Sequence, residues 1–116
     1  MKRLRNYMIG VDQGEAVVFS DFEDGGEMWV GQGPRERRKQ IQFSGTFRTP
    51  PTVQTSVSLW DLDTQTAFRG DVKAENITTK TCDIVFRTWS DTRVARVRVA
   101  WLAIGELSDP EDWDLY

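Results

Sequence analysis

The chain has 116 residues, of which 39% are hydrophobic and 28% charged, with a formal net charge of −3. That length holds one domain, and a sequence pI of about 4.9 with a mean hydropathy of −0.50 excludes a basic, non-specific nucleic-acid binder. The lack of any histidine removes imidazole acid/base chemistry, Ser-His-Asp triads and most zinc sites, and the single cysteine, Cys82, excludes an internal disulfide.

The first ten residues, Met1 to Gly10, are basic but carry only a few apolar side chains. A secretory signal needs roughly 7–15 apolar residues there, and a membrane span roughly 20 in one run. A cytoplasmic protein without membrane insertion is therefore expected, or one released without a signal, as by lysis.

Alternation of apolar and polar residues dominates, and no amphipathic helix is evident. Glu15 to Phe19 reads as a short strand. Asp21 to Arg37 contains Gly25, Gly26, Gly31, Gly33 and Pro34, and reads as a long loop wrapping the body. Asp12, Asp21, Glu23, Asp24 and Glu27 supply carboxylates of the kind calcium takes, but their spacing fits no calcium loop, so no metal is expected. Arg35, Arg37, Arg38 and Lys39 form the basic cluster. A solvated loop is its plainest reading; an acidic polysaccharide, nucleic acid or another chain's acidic tail are the alternatives.

Gln40 to Phe47 reads as a strand kinked at Gly45. Pro50-Pro51 then fixes an extended entry into Thr52–Trp60, with Val53, Val57 and Leu59 on one face. After a turn at Asp61–Gln65, the strand Ala67–Ile77 sets Phe68, Val72 and Ala74 against Arg69, Asp71, Lys73 and Glu75. Cys82, Ile84 and Phe86 alternate with Asp83 and Arg87 in the next strand. Val94–Ile104 places Val97, Val99, Trp101 and Ala103 on one side, so Trp101 and Cys82 are expected in the core. Trp29 and Trp60 are not assigned. Ser108 to Tyr116 is an acidic tail around Trp113, with a helix-start pattern at Ser108, Pro110 and Glu111. The sum is an all-β, six-stranded antiparallel β-sandwich. Residues 1–37 hold an N-terminal strand and loop, 38–105 the core, and 106–116 the tail.

Trp89 departs from this order. It falls on the polar parity of its strand and heads the turn Ser90-Asp91-Thr92-Arg93. An exposed aromatic beside polar groups suits the apolar C–H face of a pyranose. The alternative is packing against the Gly-rich loop or a second copy. Arg69 offers a fork of donors for sugar hydroxyls, or a surface ion pair with Asp71 or Asp91. Asp91 could accept hydroxyl hydrogens, or cap the turn. Ser90 is a weaker candidate.

Arg69, Ala74-Glu75-Asn76-Ile77-Thr78, Thr88-Trp89-Ser90-Asp91-Thr92 and Val99-Ala100-Trp101-Leu102-Ala103-Ile104 together resemble the H-type lectin domain. Phe43, Phe47 and Pro50-Pro51-Thr52-Val53 match its opening strands, so the resemblance covers residues 38–105. It implies a six-stranded sandwich that forms homotrimers, acts in cell adhesion, and binds galactose or N-acetylgalactosamine at clefts between protomers without a cofactor. It implies sugar-binding roles for Arg69 and Trp89, with Ser90 and Asp91 beside them. Ser90 stands where the family has histidine, and Ala95 where it has tyrosine. Val30 to Arg35 corresponds to the loop that a neighbouring protomer contributes. These departures leave a second expectation: a structural or host-attachment domain of a phage-like particle, with a degenerate sugar site. No constellation of side chains suggests an enzyme.

Overall fold

A computed structural model describes residues 1–5 and 8–108. The acidic residues around Trp113 lie outside the described residues. Six strands and one helical turn follow in order: β1 (Ile9–Ser20), α1 (Glu27–Val30), β2 (Arg35–Gln42), β3 (Thr52–Leu62), β4 (Asp71–Glu75), β5 (Thr81–Thr88) and β6 (Val94–Glu106). They form two three-stranded antiparallel sheets, β1-β6-β3 and β2-β5-β4. The expected all-β sandwich is what the chain adopts.

The sheets meet through apolar side chains from both. Phe19 on β1 meets Phe86 on β5 with ring centroids 5.4 Å apart. Trp101 on β6 meets Phe43 at 5.9 Å, and Phe43 meets Phe47 at 5.3 Å. Burying each such side chain contributes about 1.5–3 kcal/mol. Trp101, Cys82, Val97 and Val99 are all in this core, as their alternation predicts.

Five segments depart from the sequence expectations. β1 runs from Ile9, well before Glu15, because its inward positions Gly10, Asp12 and Gly14 carry no hydrophobic signal. Gly14 is required by packing: a Cβ there would stand 2.9 Å from the Trp101 ring. The supposed loop from Asp21 to Arg37 contains α1 and the first residues of β2. Charged residues conceal β2, since its water-facing side is Glu36, Arg38 and Gln40, paired across to Arg87, Val85 and Asp83. β2 also ends at Gln42, so Phe43 and Phe47 enter the core from a bend. Their N–H groups reach Lys80 O at 2.8 Å and Thr79 O at 2.9 Å. β4 starts only at Asp71, leaving 67–70 as connection. A register shift between Val57 and Leu59 turns Leu59 outward opposite Arg98, away from Val53 and Val57.

The basic cluster is likewise strand rather than solvated loop. Arg38 bonds Glu36, Glu75 and Asp83 at 3.2, 3.4 and 3.0 Å. Arg87 bonds Glu36 at 2.8 Å and Glu75 at 2.6 Å. These side chains roof Val85, which is fully buried although it lies on the polar parity of β5. Arg37 pairs with Asp21 at 3.0 Å and Glu27 at 3.1 Å. Among the described residues, no helix is long and apolar enough to cross a membrane. No three of their acidic or cysteine side chains converge as a metal site would require, the carboxylate-rich run included.

Candidate functional site

The turn from β5 to β6 is held from both sides. Ser90 adopts φ 62°, the left-handed conformation of a tight turn. Its carbonyl accepts from Gly33 N at 2.9 Å and from Arg35 Nη2 at 3.2 Å. Arg35, only 7% exposed, also donates to the carbonyls of Thr92 (2.7 Å), Gly33 (3.0 Å), Glu27 and Met28 (both 3.2 Å). One guanidinium thus ties the loop after α1 to the turn. Desolvation lowers its pKa, partly offset by the nearby Glu27 charge. Asp21 does similar work at α1: its Oδ2 accepts from Met28 N at 3.0 Å and Arg37 Nη2 at 3.0 Å. Gly26 admits that carboxylate, since a Cβ would lie 2.3 Å from Asp21 Cγ.

From the other side, Thr92 Oγ1 donates to Ala67 O at 2.7 Å, and Thr88 Oγ1 donates to Arg69 O. Arg69 Nη1 donates to Asp91 Oδ1 at 2.7 Å, Thr92 Oγ1 at 3.2 Å and Ala67 O at 3.3 Å. Of the two ion pairs weighed for Arg69, the one with Asp91 forms. Its Nε and Nη2 make no hydrogen bond to the described residues.

Trp89 follows the last residue of β5 and is 44% exposed. Its indole makes no hydrogen bond or ring stack with the described residues. It borders an open crevice of about 610 Å³, shared with Pro34, Thr88, Gly70, Asp71 and Arg87. The four residues singled out from sequence therefore divide. Arg69 and Asp91 meet in one ion pair. Ser90 contributes its backbone to the frame. Trp89 alone of the four lines the crevice.

Asp71 is among the lining residues that sequence reasoning did not assign to the site. In the sequence it stands only as a possible partner for Arg69, two residues before it; Asp91 takes that partnership, and Asp71, exposed at the start of β4, lines the crevice. Ala95 is 4% exposed, and its carbonyl accepts from Asp21 N at 2.7 Å, so its side chain offers nothing to a ligand. Arg35, the last residue of the loop compared with a neighbour's contribution, is spent inside its own protomer. Trp29 is half-buried, edge-on to Phe22 with ring centroids 5.0 Å apart and covered by the Arg93 guanidinium at 4.3 Å. Trp60 is exposed, edge-on to Phe68 at 4.8 Å.

Comparison with known proteins places the fold. The H-type lectin domain family's sequence profile matches residues 38–104. A protein of Fuscovulum blasticum described as "ATP synthase subunits region ORF 7" is 52% identical over 107 residues, which is 92% of this chain and 93% of that one. A discoidin-1 polypeptide of Dictyostelium discoideum is 35% identical over 75 residues, covering 64% of this chain and 30% of its own length. The structure of recombinant discoidin II from the same organism superposes with a TM-score of 0.75 at 26% identity, over 90% of this chain and 39% of discoidin II. The chain thus spans well under half the length of the discoidins it matches.

Proposed function

The chain belongs to the H-type lectin domain family, and from that premise we propose that it is a carbohydrate-binding module whose sugar rests on Trp89. The observation that carries this reading is an exposed indole, without a polar partner among the described residues, at the edge of an open crevice. A pyranose lays its C–H face on such a ring while its hydroxyls take hydrogen bonds from the rim. Arg69 does not line the crevice itself, but it is tied through Asp91 to the turn that Trp89 heads, and it serves as the polar clamp for hydroxyls that project past the crevice edge. Asp91 fixes one arm of the guanidinium, and Nε and Nη2 remain to donate to hydroxyls. Ser90 and Asp91 border the same turn. Galactose or N-acetylgalactosamine on cell-surface glycans is the ligand class, and neither a metal nor a catalytic step is part of the mechanism.

One small site binds weakly, because few atoms contribute. A homotrimer overcomes this by presenting three sites together, with gains of roughly 10²–10⁴ in avidity. The outward face of β1-β6-β3 supports self-association. Val11 (63% exposed) and Val17 (48% exposed) lie there beside Ile104, Leu102 and the outward-turned Leu59, with no strand or helix among the described residues over them.

A binding assay on an immobilised glycan panel tests the site. The wild-type protein should retain galactose-type glycans, and Trp89→Ala should lose them while keeping its far-ultraviolet spectrum. Equal retention by the variant would remove Trp89 from the mechanism.

The buried Ala95 and the Ser90 substitution favour a second reading, in which the same assembling sandwich serves as a structural or host-attachment domain of a phage-like particle. Co-purification with a particle, without retention on any glycan, distinguishes it.

A further inference from the structure

We infer that Asp71 makes the Trp89 crevice selective by charge, so that it takes pyranoses that are neutral or carry a free amine and rejects those carrying a carboxylate or sulfate. The inference rests on the sugar-site reading above and deepens it. Four charged residues line the crevice: Arg35, Glu36, Asp71 and Arg87. Three of them are spent within the protein. Arg35 gives its donors to five backbone carbonyls. Arg87 is held between Glu36 and Glu75, and Glu36 is shared between Arg87 and Arg38. The Asp71 carboxylate makes no hydrogen bond or ion pair with the described residues, although it opens β4 directly across from Arg87 in the strand register. Asp71 is therefore the charged lining residue whose side chain has no partner among the described residues.

A carboxylate only accepts hydrogen bonds. The ligand group that fits it must donate, as a pair of adjacent hydroxyls or an ammonium does. An ammonium gains twice, from the carboxylate and from the face of the neighbouring indole. A uronate or sulfated sugar brings a like charge to Asp71 and finds no free donor on either crevice arginine, since Arg35 spends its donors on backbone carbonyls and Arg87 is paired with Glu36 and Glu75. The other basic residues of β2 do not line the crevice: Arg37 and Arg38 are paired with carboxylates, and Lys39 lies on the opposite parity of the strand from Glu36.

Calorimetric titration of the full chain with galactosamine, galactose and galacturonic acid tests the inference, using wild type, Asp71→Asn and Trp89→Ala. Wild type should bind galacturonic acid at least about tenfold more weakly than galactosamine, the size of effect one charged hydrogen bond supplies. Asp71→Asn, a near-isosteric change at an exposed strand end, should bring the two affinities together. If wild type binds galacturonic acid as well as galactosamine, or if Asp71→Asn keeps the wild-type ratio, Asp71 is not the selector. Loss of all binding in Trp89→Ala alongside an unchanged ratio in Asp71→Asn overturns this inference alone. A wild-type protein that binds none of the three sugars, or a Trp89→Ala protein that binds all as before, overturns the sugar-site reading and this inference with it.

Discussion

The Arg35 guanidinium bonds backbone carbonyls rather than carboxylates, and those carbonyls belong to two segments remote in sequence. Removing the donors strands several half-buried acceptors at once. Arg35→Met, which keeps the stem and deletes the donors, should therefore cost about 2–4 kcal/mol in urea unfolding. It should also weaken sugar binding, since the Ser90 and Thr92 carbonyls lose the anchor that fixes the turn. Cys82 shows the opposite use of burial. Its thiol is out of contact with solvent, and burial with the neighbouring Asp83 charge pushes its pKa up to about 11. Ellman's reagent should leave Cys82 untouched in the native protein and titrate one thiol in urea; rapid native reaction would contradict the packing.

At the scale of elements, the outer face of β2-β5-β4 is a lattice of opposite charges over Val85. The Arg87 hydrogen bond holds the Glu75 carboxyl below the ordinary carboxylate range. A carboxylate with a depressed folded pKa stabilises the fold above its unfolded pKa and loses that contribution as acid protonates it. Glu75→Gln should thus be less stable than wild type at neutral pH. The gap should close as pH falls below the ordinary value of 4.5. A gap independent of pH would mean that Glu75 acts by packing alone. The same lattice explains why β2 was hard to see. Strand period shows in sequence when one parity is apolar, as in Val97, Val99, Trp101 and Ala103. β2 alternates arginine with glutamate and arginine, and its inward Arg35 is solvated by carbonyls that only the folded chain brings near. β1 was foreshortened for a related reason, because glycine at position 14 signals a break in isolation and a seat for Trp101 in the fold.

At the scale of the molecule, the sandwich was legible from β3, β5 and β6, whose alternation is strong, and from the ordered motifs shared with the H-type lectin domain. Within the site, Trp89 stood out by breaking the parity of its own strand. Asp71 did not, since its role depends on which carboxylate Arg69 takes, a choice made by the three-dimensional turn. Assembly adds the remaining level. Sedimentation should give a species of about three times the 13.4 kDa chain, and Val11→Asp should dissociate it without unfolding the protomer. A wild-type monomer at all concentrations would remove avidity from the mechanism.

The central claim is that a sugar lies on the Trp89 ring. Heteronuclear NMR of the ¹⁵N-labelled protein resolves each indole N–H, with Trp89 identified by its absence in Trp89→Phe. On titration with N-acetylgalactosamine, the Trp89 indole signal should shift and saturate while the core Trp101 signal stays in place. A Trp89 signal that does not move at saturating sugar would contradict the account.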